Sequence, residues 1–132
     1  MHVDDLAAAS ATLPARREQL GTMRLHAMDA WVRSASVLTD VEAVRDSLYA
    51  GATAGGATIV GEEFCVFPNG AVTGVLVLAQ SHLSIHTWPE FALANVDLLS
   101  YGDLRGDVVL RVVSERLDAE RVNVTCIPRA LR

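Results

Sequence analysis

The 132-residue sequence contains no lysine, so all eleven of its basic residues are arginines. That absence excludes pyridoxal-phosphate Schiff bases, lysine nucleophiles and the phosphate-binding loop with its lysine; carbonyl or imine chemistry here needs an electrophile from elsewhere. Cysteine is nearly absent too: Cys65 and Cys126 lie far apart, which excludes zinc ribbons and thioredoxin-type motifs and leaves free, buried thiols in a reducing compartment as the expectation. No apolar run approaches the roughly 18 residues of a membrane span, so no membrane association is expected. Met1-His2-Val3-Asp4-Asp5 lacks the positive region of a secretory signal, and a cytoplasmic location is the expectation. Positive charge is outnumbered, eleven basic residues against sixteen acidic ones for a net charge of −5, and without a basic patch nucleic-acid binding is not expected.

What is present is material for one core, with 51% hydrophobic and 20% charged residues. Residues 1–20, with Pro14, Arg16, Arg17 and Glu18, read as an arm outside the core, and residues 21–132 as a single domain. The run Arg24 to Val32 suits a first strand. Asp40 is placed to cap a helix whose apolar face is Val41, Val44 and Leu48 and which Gly51, Gly55 and Gly56 end. Four β-rich segments follow at 57–66, 72–79, 82–88 and 93–100, punctuated by Pro68-Asn69-Gly70 and Pro89, an order that favours an antiparallel meander. A second amphipathic helix is predicted over 106–118, with Val108, Val109, Val112, Val113 and Leu117 on one side, and a last strand over 121–127. The order βαββββαβ gives the fold class: an α/β (α+β) two-layer sandwich, a mainly antiparallel sheet with both helices on one face.

The densest polar cluster is Gln80-Ser81-His82-Leu83-Ser84-Ile85-His86-Thr87-Trp88-Pro89-Glu90, directly after the apolar run Val75 to Ala79. His82 and His86 would share a metal on a helix. The β-branched residues and Pro89 argue instead for a strand, where that spacing is about 13 Å, so no metal site is expected. His82, Ser84 and His86 then share one face, and Ser81 reaches an imidazole only if the preceding turn kinks it over. Spacing alone leaves two readings open: a polar outer face on an antiparallel sheet, or serine–histidine chemistry without the glycine-flanked elbow of the hydrolases.

Gln80 to Glu90 closely resembles the self-processing motif Glu-Ser-His-x-Ser/Thr-Ile-His-Thr-Trp-Pro-Glu of prokaryotic S-adenosylmethionine decarboxylase. The resemblance extends through Gly56 to Val60, Phe64 and Phe67, Val72 to Val75, and Val96 to Asp103, covering roughly residues 22–127. It implies that Ser81 attacks the carbonyl of Gln80, that the chain splits between these residues, and that a pyruvoyl group derived from Ser81 forms a Schiff base with an amino-acid substrate and accepts electrons during decarboxylation, with no metal and no pyridoxal phosphate. By the same resemblance Thr73 stands where a processing serine is usual, His86 matches the processing histidine, and Tyr101 stands in place of the cysteine that protonates the product. Phe67 is expected near bound substrate. Dimers of such sandwiches, with sites at or near the interface, and a place in polyamine biosynthesis are also implied.

Three departures mark this chain: Gln80 for glutamate, Thr73 for serine and Tyr101 for cysteine. The last exchanges a thiol of pKa about 8.5 for a longer, rigid phenol of about 10. Cys65, two residues from Phe67, and Ser100, adjacent to Tyr101, are alternative proton donors. Asp29 and Glu90 are carboxylates able to pair with a cationic substrate if they face the pocket. Beside a decarboxylase of S-adenosylmethionine stand two alternatives, a pyruvoyl-dependent ornithine or arginine decarboxylase and a binding paralogue that never cleaves.

Overall fold

The computed structural model describes residues 22–130, so the predicted arm at 1–20 lies outside the described residues. Six strands form one sheet: β1 (Arg24–Val32), β2 (Ile59–Val66), β3 (Val72–Leu78), β4 (His82–Trp88), β5 (Leu93–Ser100) and β6 (Ala119–Pro128). Every pairing is antiparallel and the order across the sheet is β2-β3-β4-β5-β1-β6. The meander expected from the four central segments is present. The first strand inserts beside its end and carries the last strand on its outer side.

Helices α1 (Val41–Ala54) and α2 (Gly106–Arg116) pack on the sheet, α1 against β2 and β3 and α2 against β1, β5 and β6, giving the expected two-layer sandwich. Period-two alternation in the strands supplies the sheet side of the core: Met28 and Ala30 from β1, Leu76 and Leu78 from β3, Leu83 and Ile85 from β4, and Val96 and Leu98 from β5 are all buried. Asp40 caps α1, its carboxylate accepting from the Ala43 amide at 3.2 Å. Pro68-Asn69-Gly70 closes the β2–β3 hairpin, with Gly70 at φ +87° and the Asn69 side chain accepting from the Ala71 amide at 3.1 Å.

Three expectations are corrected. Gly51 lies inside α1, and Gly55 and Gly56 end the helix. The buried stripe of α2 is Gly106, Val109, Leu110 and Val113, continued by Leu117, so Val108 and Val112 sit at its margin and Leu110 replaces them. Both cysteines are free but exposed rather than buried: they sit on β2 and β6, the two edge strands, Cys65 in register with Thr73 on the face away from the helices and Cys126 in register with His26 beside an open cavity next to α2.

The two helices touch at Gly51. A β-carbon there would lie 2.6 Å from Val113 Cγ2 and 2.7 Å from the Val109 carbonyl oxygen, so only hydrogen lets the backbones approach this closely. One buried polar pair joins β1 to β5: His26 Nε2 and Ser100 Oγ are 2.9 Å apart. The His26 ring lies against Gly106, where no side chain fits. Burial pushes the imidazole below its ordinary value of 6.5, with Asp107 opposing the shift and Arg24 adding to it.

Two predictions follow from this packing. Gly51→Ala is expected to lower stability by about 1–3 kcal/mol, since the added methyl meets backbone as well as side chain; denaturant unfolding measures it. The folded chain takes up the His26 proton only at a lower pH than the unfolded chain does. The His26 contribution is therefore complete above pH 6.5 and declines as pH falls through 6.5 toward the lower folded-state value. Unfolding midpoints measured from about pH 7.5 to 5 should fall more steeply in the wild type than in His26→Gln, which keeps a partner for Ser100 without titrating in this range.

Candidate active site

The face of the sheet away from the helices carries the polar residues that the sequence singles out. Register places Cys65, Thr73, His86, Asn95, Asp29 and Asn123 side by side in one row across all six strands. Thr73 Oγ1 and His86 Nδ1 are 3.1 Å apart, a hydrogen bond that fixes the ring's orientation and leaves Nε2 for other work. Beside them the Trp88 indole donates to Asn95 Oδ1 at 2.6 Å, and the Asn95 amide donates to Asp29 Oδ1 at 2.7 Å. This fixes the amide of Asn95 and ties Asp29 into the same network. Asn95 was not among the residues picked out from the sequence; its signal there is a polar side chain alternating with Ala94 and Val96, and its significance depends on which strand lies beside β5.

A cavity of about 340 Å³ opens at this end, lined by Phe67, Asn69, Thr73, His86, Trp88 and Glu90. Phe67 is 48% exposed and Trp88 44%, so neither ring belongs to the core. The Glu90 carboxylate accepts from the Asn69 amide at 3.3 Å.

Ser81 is at the other end of β4. Leu78 and Ser81 exchange two backbone hydrogen bonds, Leu78 N–H to the Ser81 carbonyl at 2.8 Å and Ser81 N–H to the Leu78 carbonyl at 3.1 Å. Ala79 and Gln80 therefore form a two-residue hairpin loop, and the Gln80–Ser81 peptide is its exit. The imidazole nearest to Ser81 is the adjacent His82, with 3.4 Å between Ser81 Oγ and His82 Nδ1. His86 is five residues along, about 16 Å at strand rise. Pairing of His82 with Leu99 brings the end of β5 beside the start of β4, so the half-buried Tyr101 shares this end with Ser81.

The candidate residues thus divide into two groups: Gln80, Ser81 and Tyr101 at one end of the open face, and Thr73, His86, Phe67, Glu90 and Asp29 at the other. The alternative donors do not join the first group. Cys65 lies in the row with Thr73, and the Ser100 hydroxyl points to the helix side, where it pairs with His26. Among the described residues no three His, Cys, Asp or Glu side chains gather to hold a metal ion.

The profile of the S-adenosylmethionine decarboxylase family matches residues 24–130. The chain is 40% identical over 93 residues to an S-adenosylmethionine decarboxylase proenzyme of Pseudomonas paraeruginosa, a stretch covering 70% of this chain and 58% of that relative. It is 49% identical over 65 residues to the proenzyme of that name from Symbiobacterium thermophilum, covering 49% of each. The chain therefore spans less than two thirds of the length of these relatives. The crystal structure of the adenosylmethionine decarboxylase from Aquifex aeolicus superposes with a TM-score of 0.76 at 30% identity, covering 84% of this chain and 93% of that one. With the profile matched along the whole described sandwich, the chain belongs to the S-adenosylmethionine decarboxylase family.

Proposed function

We propose that this chain is a self-processing decarboxylase of S-adenosylmethionine, cleaved between Gln80 and Ser81 and working as a homodimer. The observation that carries the reading is the Gln80–Ser81 peptide at the exit of a two-residue hairpin loop, with the serine hydroxyl half-exposed beside it. Residues at this turn fit formation of a pyruvoyl group. Ser81 Oγ adds to the Gln80 carbonyl carbon, the carbon–nitrogen bond breaks, and the hydroxyl proton ends on the Ser81 nitrogen, leaving an ester. Loss of the Ser81 α-proton expels Gln80 as a carboxylate from the β-carbon, and water then releases the nitrogen as ammonia. The pyruvoyl group supplies an electron sink for loss of carbon dioxide.

A base is needed at Ser81, and in one chain His86 is about 16 Å away. A second copy facing the open side of the sheet, turned by a two-fold axis, brings its His86 and Thr73 to Ser81 and Tyr101 of the first. The same face supports such packing: Val77, His82, Leu99, Leu25 and Ile127 form one row, with Val77 41% and Ile127 43% exposed. The Thr73 hydroxyl holds His86 by Nδ1 so that Nε2 takes the proton. Phe67 offers an adenine ring a stacking surface, and Glu90 and Asp29 supply negative charge for a cationic substrate. The Tyr101 hydroxyl delivers a proton to the substrate carbon from which carbon dioxide has left.

Intact-mass measurement should find fragments of 80 and 52 residues, with Ser81→Ala remaining at 132. His86→Ala alone should stay whole, yet be cleaved when co-expressed with Ser81→Ala, which lends its histidine across the interface. An uncleaved wild type favours the binding paralogue, and normal cleavage of His86→Ala on its own places the base elsewhere. Tyr101→Phe should self-cleave normally and lose turnover by about 10²–10⁴-fold, the usual worth of a positioned acid; Tyr101→Cys should recover it. Carbon dioxide release measures both, and full turnover in Tyr101→Phe excludes the phenol as donor.

A further inference from the structure

Resting on the self-processing reading, we propose that the side chain of Gln80 is a positioning residue for cleavage: its amide oxygen, bound by the Thr58 backbone amide, holds the scissile peptide at the angle the serine needs. Thr58 lies just before β2, and both of its peptide groups face the turn. Its N–H donates to Gln80 Oε1 at 3.2 Å, and its carbonyl accepts from the Ala79 amide at 2.8 Å. Thr58 therefore braces both residues of the loop from outside the hairpin.

The brace matters because of what the turn must present. Ser81 Oγ approaches the carbonyl carbon of the residue before it, so the plane of the Gln80–Ser81 peptide sets the angle of attack. One end of that plane is held by the Ser81 N–H bond to the Leu78 carbonyl at 3.1 Å. The other end is the Gln80 α-carbon, and the side-chain bond to Thr58 is the contact that restrains it. A two-residue loop held at both ends has little room to rotate its carbonyl away.

The brace also accounts for glutamine at a position where the family resemblance has glutamate. Both side chains have the same length and both present an acceptor oxygen to an amide; glutamine omits only the charge. What the position requires is then an acceptor of that reach, not an acid.

Two variants and one background test this. Gln80→Met keeps the length of the side chain and removes the acceptor, whereas Gln80→Glu keeps both. Self-cleavage, followed by intact mass after rapid purification, should slow about tenfold in Gln80→Met, the loss of one hydrogen bond's worth of barrier, and stay within about threefold of wild type in Gln80→Glu. Melting temperatures of the uncleaved forms should agree. On the uncleavable Ser81→Ala background, the Thr58 amide should exchange with solvent about tenfold faster with methionine at position 80 than with glutamine or glutamate. The proposal requires both changes together: wild-type cleavage in Gln80→Met, or slowed cleavage without faster Thr58 exchange, overturns it while leaving self-processing intact. A wild-type chain that never cleaves overturns the self-processing reading and this proposal with it.

Discussion

The register of β4 between β3 and β5 is the constraint on which the rest of the structure depends. Its even-numbered residues His82, Ser84 and His86 face the open side while Leu83, Ile85 and Thr87 face the core, so a slip of one residue would bury the imidazoles and expose the core. Thr87 guards against that slip. Its hydroxyl is buried, accepting from the Val72 amide and donating to the Leu38 carbonyl, each at 2.8 Å, so it pins β4 to the start of β3 and to the turn of helix at Ala35–Thr39. A displaced β4 would leave all three groups buried without partners, a cost of several hydrogen bonds.

From that register the open face is assembled. Thr73 and His86 are directly opposed because Thr73 pairs with His86 across β3 and β4, and Asn95 and Asp29 extend the row because β5 and β1 pair in step. The arrangement places the groups suited to bind and to accept a proton at one end of the strands, and the serine and tyrosine at the other. In the proposed reading these two groups are halves of one site, joined across a two-fold axis through the open face.

Chemistry and stability meet where a side chain is tied to a backbone. Ser100 is held by His26 on the core side, and Tyr101 follows at once, so the packing of His26 on Gly106 steadies the chain that presents the phenol. Gln80 is tied in the same way, its side chain accepting from the Thr58 amide beside the Gln80–Ser81 turn. Neither tie is a large term in folding. Each acts on a group that the proposed reaction needs at a set angle, and small displacements there cost rate before they cost stability.

Strands, helices and the two-layer class were legible in the sequence because they rest on local periodicity: period two in Val72 to Leu78 and Leu93 to Ser100, period 3.6 in the two helices, and the Asp40 cap and Pro68-Asn69-Gly70 turn between them. Ser81 and His86 were picked out for a different reason, because they lie in one continuous segment, Gln80 to Glu90, that resembles a family motif. What the sequence left undetermined was everything that depends on which strands are neighbours. Asn95 and Asp29 are 66 positions apart and share a hydrogen bond because β1 inserts between β5 and β6, and the exposure of Cys65 and Cys126 follows from their strands being the edges. The residues of the motif were determined by the sequence alone, whereas their division between two ends of one sheet face was decided by the tertiary structure, because an extended strand holds residues five apart at a fixed distance that no local rearrangement can close.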